Sequence, residues 1–158
     1  MKSEFFHRDL IQIFPSVKPR TIISWTERGL IEPEFEDASG RGSARRYSYR
    51  NLIEITFISE LLRFGVPFSF MNQIIESSEY QSIIVDRKWS TTFWITYMDQ
   101  KGRAFSSKAG SHLTVKAISV DNFSVESQEL VKATKSAILV NMDAINQALK
   151  KRISDLSL

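Results

Sequence analysis

Four arginines, Arg41, Arg45, Arg46 and Arg50, fall within ten residues without an acid among them, and Tyr47 and Tyr49 are interleaved with them. Guanidinium forks and phenolic hydroxyls in that pattern suit phosphate oxygens and the sugar edge, which are held by charge-assisted, often bidentate hydrogen bonds. A second polar group, Lys18, Arg20, Thr21 and Ser24, lies in the stretch "KPRTIISWTERGLIEP". Covalent chemistry has no comparable set. Cysteine is absent and His7 and His112 are the only histidines, which removes thiolate chemistry, disulfides and most zinc sites. No segment pairs a nucleophile with a base, and there is no glycine-rich phosphate loop. These residues point to binding rather than to an enzyme, with no cofactor and no metal.

The chain that must position them has 158 residues, 42 % of them apolar and 11 % aromatic, enough for one ordinary domain or two small ones with a real core. Lys and Arg number 21 against 18 Asp and Glu, a net charge of only +3. Such a balance does not call for nucleic acid by itself, so the argument rests on local clustering. The opening "MKSEFFHRDL" is charged too early for a signal peptide, and no apolar run approaches the roughly 18 residues of a membrane span. A soluble, cytoplasmic protein with no membrane partner is expected.

Leu10, Ile11, Ile13 and Phe14 recur at helical spacing behind Arg8 and Asp9, and Pro15 stops that helix. A second short helix follows: Pro19 suits its first position, Ile22, Ile23 and Trp25 supply apolar bulk, and Gly29 suits a left-handed cap. Two short helices meeting across "PSVK" outline a helix-turn-helix. Trp25 is expected in the core, and Arg28 beside the cap is explained by the helix dipole. Pro33, Gly40 and Gly42 then exclude a helix and leave room for a short extended pair around a glycine-containing tip, a candidate wing. Its leading leg carries Glu32, Glu34, Glu36 and Asp37, which would repel a polyanion, so that leg is expected to point away. Ser48 can cap a third helix with a broad apolar face from Leu52 to Leu62, ended by Gly65, and Pro67 opens a fourth short one.

These pieces, "RDL", "PRTIISWTERGLI", "GRGSARRYS" and "RNLIEITFISELLRFGVPFSFMNQII", lie in order from about Phe6 to Ile75. In that order they resemble the DNA-binding domain of the mercury-resistance-regulator (MerR) family of bacterial transcription factors. The resemblance implies a winged helix-turn-helix, usually a homodimer, that binds double-stranded DNA at an inverted repeat in a promoter and distorts the DNA between half-sites. Arg20 falls on the arginine of the family's recognition helix, and Arg45 and Tyr47 on the arginine and tyrosine of its wing. Lys18, Thr21, Ser24, Arg41 and Arg46 complete the implied DNA-binding set. Ser24 stands where the family has the first of two aromatic residues, and Trp25 stands at the second.

Beyond Glu76 the composition shifts. Residues 77–90 read as a linker containing a short helix or strand. "TTFWITYMDQKGRAF" alternates as a hairpin about "DQKG", and "LTVKAISV" adds a third strand. The segment from Ser136 onward reads either as one helix, with Ile138, Met142, Ile145 and Leu149 as a two-helix seam, or as a buried strand "AILVN" followed by a helix that Asn141 or Asp143 caps. The second is favoured, because three consecutive large aliphatics would leave one exposed on a lone helix. The long dimerisation helix common in the family is absent, which leaves room for a small-molecule effector or a protein partner. Phe93, Trp94 and Tyr97 form either a sheet core or the wall of a pocket. The expected architecture is therefore α+β, with a helix-turn-helix domain over 1–76, a linker over 77–90 and a small effector or oligomerisation domain over 91–158. Two other readings compete with the regulator: an architectural or scaffold protein that tethers DNA to a protein partner, and a winged helix turned protein-binding module.

Overall fold

The computed structural model describes residues 2–35, 44–88 and 137–158 in full, and the backbone of 91–99 and 111–119. Contacts divide the chain into two compact units, residues 1–59 with 145–158, and residues 60–144. That division differs from the one composition suggests, because the C-terminal helix belongs to the first unit.

The first unit opens with strand β1 (Glu4–Phe6) and helix α1 (His7–Ile13). Asp9 ties the two together: its buried carboxylate accepts the Phe6 N–H at 2.7 Å and the Lys2 ammonium at 2.7 Å. Burial raises the cost of that charge, but Lys2 and the Phe6 amide outweigh it and hold the carboxyl below its usual range. Leu10, Ile13 and Phe14 are buried as their spacing predicts, whereas Ile11 is 43 % exposed. Helix α2 (Pro19–Glu27) starts on Pro19 and packs on α1. It ends with Gly29 at φ +72°, where the Gly29 and Leu30 N–H groups return to the Thr26 and Trp25 carbonyls. This paired return is the Schellman arrangement. A Cβ at Gly29 would meet nothing within 4 Å, so Gly29→Ala should cost only the left-handed backbone, about 1 kcal/mol. A shift in the urea midpoint without a change in slope would show it.

Strand β2 (Arg46–Ser48) pairs antiparallel with β1, in register Glu4↔Ser48, Phe5↔Tyr47 and Phe6↔Arg46. Helix α3 (Tyr49–Arg63) follows, and Leu52, Ile53, Ile55, Phe57, Ile58 and Leu61 along it are fully buried. Ser48 caps it as expected, accepting the Asn51 N–H at 3.2 Å. Residues 36–43, which hold the tip of the expected extended pair, lie outside the described residues. Residues 31–35 form no strand, and the partner of β2 among the described residues is β1. The reason lies in Asn51, which takes the Glu34 N–H and the Glu32 carbonyl for itself and leaves that leg no ladder to make.

In the second unit Gly65 (φ +81°) ends α3 in the same manner as Gly29 ends α2. A 3₁₀ turn (Phe68–Phe70) leads into α4 (Met71–Ile75), and α5 (Ser78–Val85), capped by Ser77, occupies the expected linker. Strands β3 (Thr91–Asp99), β4 (Ser111–Ser119) and β5 (Ala137–Asn141) form one antiparallel sheet in the order β4, β3, β5. Strand β3 pairs directly with β4, Thr91 opposite Ser119 and Asp99 opposite Ser111. The expected turn and short strand at 100–105 lie outside the described residues, as do the side chains of Phe93, Trp94 and Tyr97. The strand-then-helix reading of the C-terminus holds: Asn141 accepts the Ala144 N–H at 3.0 Å and opens α6 (Met142–Asp155). Burial of the strand does not hold throughout, since Leu139 is 44 % exposed and only Val140 is buried. Of the expected two-helix seam, Ile138 lies in β5 and is half-buried, while Met142, Ile145 and Leu149, continued by Ile153 along α6, are covered by the chain itself.

Candidate nucleic-acid interface

Helix α2 separates its residues by face. Ile22, Trp25 and Thr26 are buried, while Lys18 and Arg20 are exposed and Thr21 and Ser24 are partly so. Residues 20, 21 and 24 fall together on a 3.6-residue period, and thus the helix offers one polar face headed by a guanidinium and backed by an aromatic ring. The same face also carries the exposed acid Glu27. Trp25 is core, as its spacing from Ile22 predicts.

The arginine run is arranged by β2. Arg45 and Arg46 are partly exposed, and Arg41 lies outside the described residues. Tyr47 requires a correction. It was expected among the phosphate contacts, but it is 0 % exposed and is the largest fully buried side chain among the described residues. Alternation along the strand puts its neighbour Arg46 outward and Tyr47 inward, where its hydroxyl comes within 3.4 Å of Thr26 Oγ1. Tyr47 therefore positions the interface, since its ring and hydroxyl hold β2 against the inner face of α2. Tyr49, the other aromatic of the run, also turns inward. Its hydroxyl donates to Asn146 Oδ1 at 2.8 Å, tying the start of α3 to α6, and burial pushes its phenol up to about 12.

Reasoning from sequence missed two residues. Asn51 is fully buried, and its carboxamide serves four neighbours: Oδ1 accepts the Ser48 and Glu34 N–H groups at 3.0 and 3.1 Å, and Nδ2 donates to the Glu32 carbonyl and to Glu54 Oε2 at 2.8 and 2.7 Å. Together with the Ser48 cap this is a reciprocal capping box in which Asn replaces the usual Glu or Gln; the pair Ser48 and Asn51, three apart, was its only sequence signal. Exposed Glu32 and Glu34 are thereby fastened by their backbone while their side chains stay in solvent. Glu4 is the second. Its Oε2 lies 3.0 Å from Arg46 Nη1 across the β1–β2 pair, and a three-residue strand is too short for its alternation to announce it.

Buried Glu54 adds charge beneath this node. Desolvation pushes its carboxyl up to about 7, assisted by Glu34 and Glu32 and opposed by the Asn51 hydrogen bond and by Arg50. Arg50 Nε is 3.8 Å from Glu54 Oε1 and has no hydrogen-bond partner. Among the described residues no three His, Asp or Glu side chains gather as metal ligands, and no helix is long and apolar enough to cross a membrane.

Comparison with known proteins agrees with this geometry. No curated protein matches the chain. Residues 16–77 match the family described as "MerR HTH family regulatory protein". The match begins after α1 and ends before α5, and so covers α2, β2, α3 and α4. Over residues 16–77 the chain is therefore similar to the helix-turn-helix of the MerR family of regulatory proteins.

Proposed function

We propose that the protein regulates transcription as a homodimer that recognises an inverted repeat in a promoter, and that 1–76 acts as a winged DNA-binding domain. Arg20, with Thr21, Ser24 and Lys18, enters the major groove, and Arg41, Arg45 and Arg46 hold phosphates beside it. One observation supports this reading: Tyr47 follows Arg46 in β2, turns inward and meets Thr26 on the inner face of α2, so the two basic elements are held as one surface. The effector or oligomerisation role belongs to the β3–β5 sheet within 91–158, with residues 77–90 leading to it, because the apolar face of α6 is already buried within its own chain. The interface acts by charge and shape and requires no cofactor.

Two substitutions distinguish its parts. Arg45→Ala should weaken specific and random DNA alike and lower the dependence of log K on log salt by about one. Arg20→Ala should cost about 1 to 3 kcal/mol on the selected site and relax specificity at one base position. Selection of bound fragments from random DNA by the full chain supplies the site. Enriched inverted repeats support the dimeric regulator, whereas binding without enrichment would overturn it in favour of an architectural role.

A further inference from the structure

The outward side of the β1–β2 pair contains a carboxylate where a phosphate-binding surface should have none. Phe5 and Tyr47 face each other in the core, so Glu4, Phe6 and Arg46 share the opposite side. Glu4 reaches diagonally to Arg46, and the two charges are 38 % and 37 % exposed. The pair is thus open to solvent and exchangeable, since ion pairs at such exposure are weak. Lys2, which precedes β1, is paired with Asp9 at 2.7 Å.

We propose that Glu4 is an internal competitor for Arg46, holding its guanidinium in the free protein and releasing it to the DNA backbone on binding. The inference rests on Arg46 meeting a phosphate, as argued above. A guanidinium transferred from Glu4 to DNA displaces one condensed cation from the duplex, but Glu4, left bare, attracts a cation in its place. Arg46 then adds little to the net counterion release that drives non-specific binding. Glu4 thereby lowers affinity for selected and random DNA alike without touching a base, and leaves discrimination to what α2 reads.

The test is a salt titration of random-duplex binding by the full chain and its variants. Glu4→Gln should tighten binding several-fold at about 0.1 M salt and steepen the log–log slope by about one. Glu4→Asp, which keeps the charge but falls a methylene short, should tighten it in the same direction. In the Arg46→Ala background Glu4→Gln should no longer do so. If Arg46→Ala weakens binding while Glu4→Gln and Glu4→Asp leave both affinity and slope unchanged, the competition is wrong and the phosphate role of Arg46 stands. An equal gain from Glu4→Gln with and without Arg46 would reduce Glu4 to a general repulsive charge and overturn the proposal. If Arg46→Ala changes nothing in the Glu4→Gln background, where no carboxylate offsets the guanidinium, the phosphate role of Arg46 fails, and the competition with it.

Discussion

Asn51→Ala should lower the stability of the protein by about 3 to 5 kcal/mol, the range reached when several buried polar groups lose a shared partner. The substitution removes little volume but orphans the Ser48 and Glu34 amides, the Glu32 carbonyl and one oxygen of Glu54 together. Equilibrium urea unfolding measures the loss, and a cost below about 1 kcal/mol would mean that water satisfies those groups as well as the carboxamide does. N51D separates hydrogen bonding from shape. It keeps the acceptor for the two amides but turns an oxygen toward the Glu32 carbonyl and the Glu54 carboxylate, so it should also destabilise, and less so at a pH where Glu54 is protonated. Binding assayed well below the melting temperature of Asn51→Ala should weaken as well, because the cap of α3 fixes the end of β2 beside Arg46.

Stability should fall between pH 4.5 and about 7 in the wild-type protein and should not fall there in Glu54→Gln. The folded carboxyl titrates near 7 against an ordinary value of 4.5, so over that interval the folded state binds the proton and the unfolded state has lost it. Unfolding free energy declines with pH wherever the folded state holds more protons. The stabilisation from protonated Glu54 is complete below 4.5 and is lost as pH rises through about 7, and the full interval corresponds to about 3 kcal/mol. Asp9, whose carboxyl is held low, contributes with the opposite sign and at lower pH, where its stabilisation disappears as pH falls. Comparing urea unfolding of wild type and Glu54→Gln at pH 5 and pH 8 cancels every other titrating group. Parallel curves for the two proteins would refute the raised titration of Glu54 by burial.

Much of this architecture is legible in local chemistry. Pro19 opening α2, Gly29 and Gly65 closing α2 and α3, Ser48 and Asn141 capping helices, and the periodic faces of α2 and α3 all involve residues no more than about five apart. Interactions of that range are settled by covalent geometry, propensity and hydrogen bonding, so they can be read along the chain. The outward position of Arg20 belongs to the same class, because burial of Ile22 and Trp25 leaves a nine-residue helix one solvent face.

Other features depend on partners that spacing cannot supply. A three-residue strand fits either register, and only its pairing with β1, some 40 residues earlier, turned Arg46 outward and Tyr47 into the core. The same pairing placed Glu4 against Arg46. Asn51 is an ordinary helix-start residue until the leg at 32–34 folds back on it. Helix α6 shows a seam at coiled-coil spacing, yet whether that face meets a second chain or its own depends on closure across the whole sequence, and Tyr49 reaching Asn146 expresses the outcome. The sequence by itself determined the helices, their ends and the basic residues available for DNA. Which of those residues face outward from β2, and which acid faces them, was decided only by the tertiary structure, because strand pairing and burial of polar groups are settled by partners far apart in the chain.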